Sequence, residues 1–316
     1  FFFFFFLSWV TNQNRFMINV LVTSLGSNTA ICVIKALRSH KGISITGTDI
    51  FPAHLCAGSA FADDFRQLPL AVATDYETQL VNIIKEKNIQ CVIPIHDVEV
   101  DKIAAIAEKY PSLTFWAVNK PAIIRLCNNK KEINKYLSGF QIAVPAMFSS
   151  HDKILYPAIY KPNEGVSSKG IKIIYSAQEI NGLEDMENGF LQKLVTGDEY
   201  TVDCYTAYNE DYFNCCIRKR IETKEGISTK GQTIDFPLLE KLSAQIHNHL
   251  QFKGASNIQF IVENDIPYFI EINPRFSGAG ILSYHANLNS PLFTVLEAVQ
   301  SPLFNDLKIV PVKNGV

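Results

Sequence analysis

Three polar side chains near the C-terminus have types and spacing suited to metal and anion binding. Glu271, Asn273 and Arg275 follow the apolar run at residues 268–270 at every second position. If this segment is a strand, its period of two points all three side chains to one face. A carboxylate and an amide carbonyl oxygen there can hold Mg²⁺, and an arginine beside them can bind an anion. The pattern therefore predicts a site for nucleotide phosphates.

A second strand is predicted at residues 256–262, joined to the first by a turn at residues 263–265. Such a hairpin brings Asn257 and Gln259 alongside Glu271 and Asn273. The segments SNIQF and EINPRFSG resemble the metal-binding hairpin of the ATP-grasp superfamily, and they are most similar to the carbamoyl phosphate synthetase large-subunit branch. The alternative is an edge hairpin whose polar side chains are solvated.

The resemblance implies a fold and an activity. The implied fold is a Rossmann-like α/β lobe (the pre-ATP-grasp lobe) followed by a two-lobed ATP-grasp fold. The implied enzyme is an ATP-dependent ligase that converts a carboxylate or bicarbonate to an acyl phosphate, which an amine or another nucleophile then attacks. The implied cofactors are ATP and Mg²⁺, with Mn²⁺ as an alternative ion. The implied partners are small-molecule carboxylates and amines, and relatives of this kind are often homodimers.

The resemblance also implies roles for residues of the hairpin and of a basic segment upstream. Gln259, Glu271 and Asn273 are the predicted metal ligands, and Arg275, Arg220 and Asn257 are the predicted catalytic residues. Arg220 belongs to the run Arg218-Lys219-Arg220, for which a solvated basic edge is the alternative. Carbamoyl phosphate synthetases have a histidine where this chain has Ser228, which argues against carbamoyl phosphate synthesis itself. The length of 316 residues suits a single ligase core.

A phosphate-binding segment is predicted upstream, where a strand at residues 156–162 carries Lys161 near its end. The loop that follows contains Gly165, Ser167 and Ser168. Glycine lets the backbone approach phosphates closely, hydroxyls add donors, and the lysine supplies a point charge. The alternative is an ordinary turn between two strands. Lys130, at the start of a predicted helix, is expected to reach the phosphates, with Lys131 as its alternative.

Residues 190–203 resemble the segment that holds adenine and ribose in this superfamily. The resemblance implies that Gln192, Lys193 and Leu194 line the adenine site through backbone groups. It also implies that Glu199 binds the ribose hydroxyls, because a carboxylate accepts two hydrogen bonds at once. The alternative for Glu199 is an exposed strand carboxylate.

From Met17 onward, strands and helices alternate with short connections, which predicts a parallel sheet covered on both faces. Gly26 and Asp49 leave open a nicotinamide-dependent oxidoreductase, although the full GxGxxG motif is missing. The loop at His96-Asp97 is expected to contact the acceptor substrate, because ligands bind at the carboxyl ends of parallel strands. A helix N-cap is the alternative role for Asp97.

The predicted domains are a pre-ATP-grasp lobe at residues 17–120 and an ATP-grasp domain at 121–316, with its small lobe at about 150–195. Residues 1–16, which begin with six phenylalanines, are interpreted as a non-native or disordered extension, with a membrane anchor as the alternative. A net charge of −2 gives no bias toward nucleic acid or an anionic membrane. Seven scattered cysteines without a CxxC pair favour reduced thiols in a cytoplasm.

Two pairs of residues and one further function class complete the predictions. Cys215 and Cys216 are expected to be small packing residues that face opposite ways in a strand. His247 and His249 are expected at the surface of a helix. A non-catalytic ATP-binding sensor is a third alternative for the function.

Overall fold

The computed structural model describes residues 17–148, 153–163, 170–180, 188–224 and 226–316. The predicted phosphate loop with Gly165, Ser167 and Ser168 lies outside these ranges, as does the phenylalanine-rich start. The strands are β1 (Ile18–Val22), β2 (Ile43–Asp49), β3 (Asp64–Gln67), β4 (Cys91–Ile93), β5 (Phe115–Trp116), β6 (Met147–Phe148), β7 (Ala158–Pro162), β8 (Lys172–Ile174), β9 (Gly189–Lys193), β10 (Asp198–Thr206), β11 (Phe213–Lys224), β12 (Ile227–Ile234), β13 (Gly254–Glu263) and β14 (Ile266–Asn273).

The helices connect and cover the sheets. They are α1 (Asn28–Leu37), α2 (Tyr76–Glu86), α3 (Asp97–Lys109), α4 (Pro121–Asn128), α5 (Lys130–Ser138), α6 (Ala177–Ile180), α7 (Pro237–Leu250), α8 (Ile281–His285), α9 (Ser290–Ala298) and α10 (Leu303–Lys308), with 3₁₀ turns at Ala53–Leu55 and Ala57–Phe61. Among the described residues, none of the helices has the length and apolar character needed to cross a membrane.

The N-terminal lobe contains a parallel sheet of five strands in the order β3-β2-β1-β4-β5. Successive residues of β1 enter two different cores, because Val20 and Val22 pack on one face while Leu21 packs on the other. Burial on both faces explains the unbroken apolar runs in these strands. The α/β lobe predicted from the sequence is confirmed.

Two antiparallel sheets follow, with strand orders β6-β9-β7-β8 and β12-β11-β10-β13-β14. One face of the larger sheet packs on α7, where Val202, Ile258 and Ile272 meet Leu239 and Ile246. Strand alternation then leaves the polar residues of β10, β11, β13 and β14 on the opposite face. The fold is a Rossmann-like lobe followed by two antiparallel lobes, as predicted, whereas the exact domain limits stay predictions.

The expected surface position is wrong for His247, which is buried with 2% of its surface exposed. Its two ring nitrogens lie 2.7 Å from the hydroxyls of Thr206 and Ser256. Burial lowers the pKa of the imidazole to about 3, so the ring stays neutral in the folded protein. The expected packing role of the two adjacent cysteines is confirmed, since Cys215 and Cys216 enter different cores.

Candidate active site

A cleft of about 1050 Å³ opens between the three lobes and is walled by all of them. Thr29 and Asp97 come from the N-terminal lobe, Lys161 from the smaller antiparallel sheet, and Glu271 from the larger one. Among the described residues that line it, six are basic and four are acidic: Arg125, Lys130, Lys161, Arg218, Arg220 and Arg275, against Asp97, Asp101, Glu199 and Glu271. An excess of positive charge in a concave site attracts a polyanion.

The floor of the cleft is the polar face of the larger sheet, where strand register brings separated residues into rows. Arg218 is opposite Thr201, which is opposite Gln259, which in turn is opposite Glu271. Residues directly opposite in antiparallel strands share a face. A second row places Asn257 opposite Asn273. The hairpin pairing predicted from the sequence is therefore present.

Hydrogen bonds fix the carboxylate and amides of this hairpin. The Asn273 side-chain amide donates to Glu271 Oε1 at 3.2 Å and to Asn257 Oδ1 at 3.0 Å, and Asn257 Nδ2 donates to the Arg275 carbonyl at 3.2 Å. In the described part of the chain, no group of three or more His, Cys, Asp or Glu side chains could hold a metal. One carboxylate with neighbouring amide oxygens suits Mg²⁺, which keeps several waters and shares its coordination with phosphates.

Two lysines face this hairpin across the cleft. Lys161 lies near the end of β7 and is only 7% exposed. Burial lowers the pKa of its ammonium to about 8, and the charge of Lys130 adds to this effect while that of Glu271 opposes it. Lys130 begins α5, whose cap Asn129 accepts a hydrogen bond from Glu132 N. Lys130 lines the cleft and its alternative, Lys131, does not.

Arg275 lies just beyond β14, which ends at Asn273, so strand alternation alone does not position it. Instead, its Nε and Nη2 groups donate to the two carboxylate oxygens of Asp97 at 2.7 and 3.2 Å. The N-cap of α3 is His96, whose Nδ1 accepts from Val98 N, so the N-cap alternative for Asp97 is wrong. Asp97 therefore ties the N-terminal lobe to the hairpin of β13 and β14.

Arg220 and Glu199 form the next part of the wall. The Arg220 side chain is 5% exposed, its Nε lies 3.5 Å from Glu199 Oε2, and its Nη2 donates to the Gly226 carbonyl at 2.7 Å. The alternative of a solvated basic edge is wrong for this residue. Glu199 keeps 49% of its side-chain surface exposed within the cleft lining, where it is available to a ligand.

Sequence reasoning preferred Arg220 over Arg218 within the basic run. Arg218 is nevertheless 1% exposed and lines the cleft. Its Nε and Nη2 donate to the carboxylate of Asp203 at 2.9 and 3.1 Å, and Nη2 also donates to Ser277 Oγ at 3.0 Å. Lys219 points the other way and pairs with Asp198. Strand alternation could have identified Arg218, because residues on either side of Lys219 share a face and Arg218 therefore lies on the same face as Arg220.

The predicted adenine segment lies at the junction between β9 and β10. The Gln192 side chain is buried and donates to Asn134 Oδ1 at 3.2 Å and to the Pro145 carbonyl at 2.9 Å. Lys193 pairs with Glu263, with its Nζ 2.5 Å from the carboxylate. The side chains of Gln192 and Lys193 are thus engaged within the protein. Adenine binding through the backbone groups of Gln192, Lys193 and Leu194 stays a prediction.

The features that suggested a dinucleotide site have structural partners in the N-terminal lobe. Asp49 is 8% exposed, and its carboxylate accepts hydrogen bonds from Gly26 N at 2.8 Å and Phe51 N at 3.0 Å. Gly58 packs so tightly on the loop after β1 that a Cβ there would lie 2.0 Å from the Leu25 carbonyl oxygen. The geometry therefore does not favour Asp49 as a ribose-binding acid.

Comparison with known families agrees with this architecture. A family model described as an ATP-grasp domain matches residues 127–279, a range that contains β7, the hairpin and both arginines of β11. The chain carries an ATP-grasp domain. A model described as a PylC-like N-terminal domain matches residues 20–114 of the preceding lobe. The ATP-grasp domain predicted from the hairpin is confirmed over this range.

Individual relatives extend the comparison. The chain is 28% identical over 175 residues to D-alanine–D-alanine ligase A of Bacillus cereus, a match that spans 46% of this chain and 57% of the relative. Its fold is similar to that of the L-amino acid ligase from Bacillus licheniformis, with 16% identity, a TM-score of 0.72, and coverage of 93% of this chain and 77% of that one.

A second solved structure is N5-carboxyaminoimidazole synthetase from Staphylococcus aureus complexed with ADP, at 17% identity and a TM-score of 0.71. That match covers 90% of this chain and 79% of the synthetase. At such identities the solved structures show a common fold, which includes all three lobes of this chain.

Proposed function

We propose that this ATP-grasp protein is an ATP-dependent ligase that activates a carboxylate as an acyl phosphate and joins it to an amine. The observation that supports this most strongly is the row of Gln259 and Glu271, with Asn273 beside them, facing buried Lys161 across a positively charged cleft. Oxygen ligands on one wall and ammonium groups on the other are the two requirements of a site for the phosphates of MgATP.

Each group of residues then has a role in the proposal. Gln259, Glu271 and Asn273 would hold Mg²⁺, which when bound neutralises charge on the phosphates. Lys161 and Lys130 bind the phosphates, Glu199 binds the ribose, and the backbone at Gln192, Lys193 and Leu194 receives the adenine. Gly165, Ser167 and Ser168 remain proposed phosphate contacts from the sequence alone.

The arginines act where negative charge accumulates during transfer. In this proposal Arg275 and Arg220, which both line the cleft, stabilise the phosphate in transit and the acyl phosphate. Both carboxylate oxygens of Asp97 hold Arg275. Asn257 holds the hairpin by its bonds to the Arg275 carbonyl and to Asn273. A fixed donor costs no reorganisation when the charge develops, so this rigidity favours catalysis.

The names of similar proteins support a carboxylate and an amine as the substrates. D-alanine–D-alanine ligase A and an L-amino acid ligase are both named as ligases of amino acids. Bicarbonate is the other candidate acid, as the resemblance to carbamoyl phosphate synthetases implied, although Ser228 lines the cleft at the position of the histidine in those enzymes. We also propose a homodimer, and a cytoplasmic location on the basis of seven free cysteines.

The proposal is tested by measuring ADP release from MgATP with panels of carboxylates, bicarbonate, amino acids and ammonia. Wild-type protein is compared with Glu271→Ala, and Glu222→Ala is the matched control because Glu222 is an exposed carboxylate paired with Lys230 on the outer hairpin. We expect acceptor-dependent ADP release that Glu271→Ala abolishes and Glu222→Ala retains, with unchanged circular dichroism for all three proteins.

Two results would contradict the proposal. Turnover retained in Glu271→Ala would contradict the assignment of Glu271 as a metal ligand. MgATP binding by the wild type without turnover on any acceptor would favour the ATP-binding sensor over the ligase.

A further inference from the structure

A buried arginine on the floor of the cleft has a donor group without a protein partner. Arg218 is fully buried, yet its Nη1 group forms no hydrogen bond with any described residue. The other side of the guanidinium is saturated by Asp203 and Ser277. Buried polar groups in native proteins are nearly always hydrogen-bonded, so a lone donor at a cleft wall indicates a missing ligand acceptor.

The guanidinium is also held rigidly. Asp203 accepts from two of its nitrogens and in addition receives a hydrogen bond from Ser283 on α8. Both Arg218 and Asp203 are less than 10% exposed, so solvent does not compete for the pair. An arginine fixed in this way presents its remaining donor in one direction, and an ionised donor prefers an anionic acceptor.

The position of Arg218 relative to the metal site limits what the acceptor can be. Arg218 on β11 and Glu271 on β14 are the two ends of one cross-strand row, three strand spacings or about 14 Å apart. Thr29 of the N-terminal lobe and Ser277 line the cleft with it. This end of the row is therefore distant from the proposed metal ligand Glu271 and close to the lobe expected to meet the second substrate.

We propose that Arg218 binds the carboxylate of the amine substrate, so that the nucleophile is an amino acid rather than ammonia or a simple amine. This inference rests on the ligase function proposed above and gives that function a substrate class. The amine of such a substrate would point along the row toward Gln259, and its carboxylate would accept a hydrogen bond from Arg218 Nη1. Asp203 is then a positioning residue for Arg218.

The test measures binding, so that it does not depend on turnover. A panel of amino acids and the matching amino acid amides is titrated into the protein with Mg²⁺ and a non-hydrolysable ATP analogue present, by calorimetry. We expect an amino acid to bind and its amide to bind about 10- to 100-fold more weakly, the range for losing a charged hydrogen bond. Arg218→Lys, which keeps a cation beside Asp203, should weaken the acid by a similar factor and leave the amide unchanged.

Two further proteins complete the design. Lys219→Met is the matched control, because Lys219 is the next residue of the strand and faces Asp198 on the other side. It should bind the acid like the wild type. If Arg218→Lys does not fold, it is replaced by the double variant Asp203→Asn with Arg218→Gln, in which a neutral pair takes the place of the buried ion pair. The comparison of acid with amide in the wild type needs no variant.

Several results would overturn the inference. They are equal binding of acid and amide by the wild type, binding of neither, or unchanged discrimination in Arg218→Lys. Because the ATP analogue is titrated separately, its failure to bind would instead refute the ligase function. Binding of the analogue without selective binding of an acid would refute only the role of Arg218.

Discussion

Lys161 makes nucleotide affinity depend on pH in a way that can be calculated. Its ammonium is the proposed contact for the phosphates, and burial lowers its pKa from 10.5 to about 8. The free protein therefore loses this charge just above physiological pH. Phosphate oxygens bind the charged form, so nucleotide binding must take up a proton wherever Lys161 is neutral.

The size of the effect follows from the fraction of protein that carries the charge. With a pKa of about 8, Lys161 is about 90% charged at pH 7 and about 10% charged at pH 9. If only the charged form binds, the Kd for nucleotide rises about tenfold across this range, or about 1.4 kcal/mol. Titration of the nucleotide phosphates does not overlap this pH range, because their highest pKa is near 6.

The assay is a titration of a magnesium complex of a non-hydrolysable ATP analogue at intervals from about pH 7 to pH 9.5, at constant ionic strength. Lys161→Arg is the informative variant because arginine stays charged throughout this range. We expect a Kd that rises above pH 8 in the wild type and stays flat in Lys161→Arg. A flat wild-type profile, or the same slope in both proteins, would refute a charged Lys161 at the phosphates.

The lowered pKa of Lys161 also makes the free energy of unfolding of the ligand-free protein depend on pH, and the sign of this dependence is defined. Between pH 8 and 10.5 the unfolded chain keeps the Lys161 proton after the folded protein has lost it. The unfolded state then binds more protons, so this residue makes the free energy of unfolding rise with pH across that window. The penalty of burying the charge is fully present below pH 8.

Two other residues give separate predictions. Asp97→Asn removes the ionic partner that positions Arg275, so it should lower ligase turnover at least tenfold while lowering the free energy of unfolding in urea by only about 1 kcal/mol. Glu86→Gln is the control, because Glu86 is an exposed carboxylate paired with Arg66. Turnover of Asp97→Asn equal to that of the control would contradict this. His247 has a pKa of about 3 against 6.5 when unfolded, so the unfolded chain takes up its proton first as pH falls. The free energy of unfolding should therefore drop by about 2 kcal/mol between pH 7 and pH 5, a slope that His247→Asn loses and His249→Asn keeps.

The hairpin of β13 and β14 could be predicted from the sequence because its information is local. Alternation assigns Glu271 and Asn273 to one face, and the turn before Pro267 sets the register from Glu263 opposite Ile266 to Phe260 opposite Phe269. A register set by a short turn and an apolar face leaves little freedom. Counting back from the turn alone would place Gln259 opposite Ile270. The predicted pairing of Gln259 with Glu271 is present because the register shifts by one residue between Gln259 and Phe260.

The burial and pairing of residues whose partners are distant in sequence could not be predicted in the same way. Arg218 depends on Asp203 in another strand, and Arg275 depends on Asp97, which is 178 residues away. The buried ring of His247 is hydrogen-bonded to hydroxyls from two strands, those of Thr206 and Ser256. Burial and pairing of this kind arise from tertiary packing, which a one-sequence pattern does not contain.

The most direct test of the proposed chemistry follows one oxygen atom. The carboxylate that stimulates ADP release is labelled with ¹⁸O, and the released inorganic phosphate is analysed by mass spectrometry. A carboxylate activated as an acyl phosphate transfers one of its oxygens to phosphate when the amine displaces it, so the proposal predicts one ¹⁸O per phosphate formed. Unlabelled phosphate from a reaction that still joins acid and amine would contradict activation through an acyl phosphate.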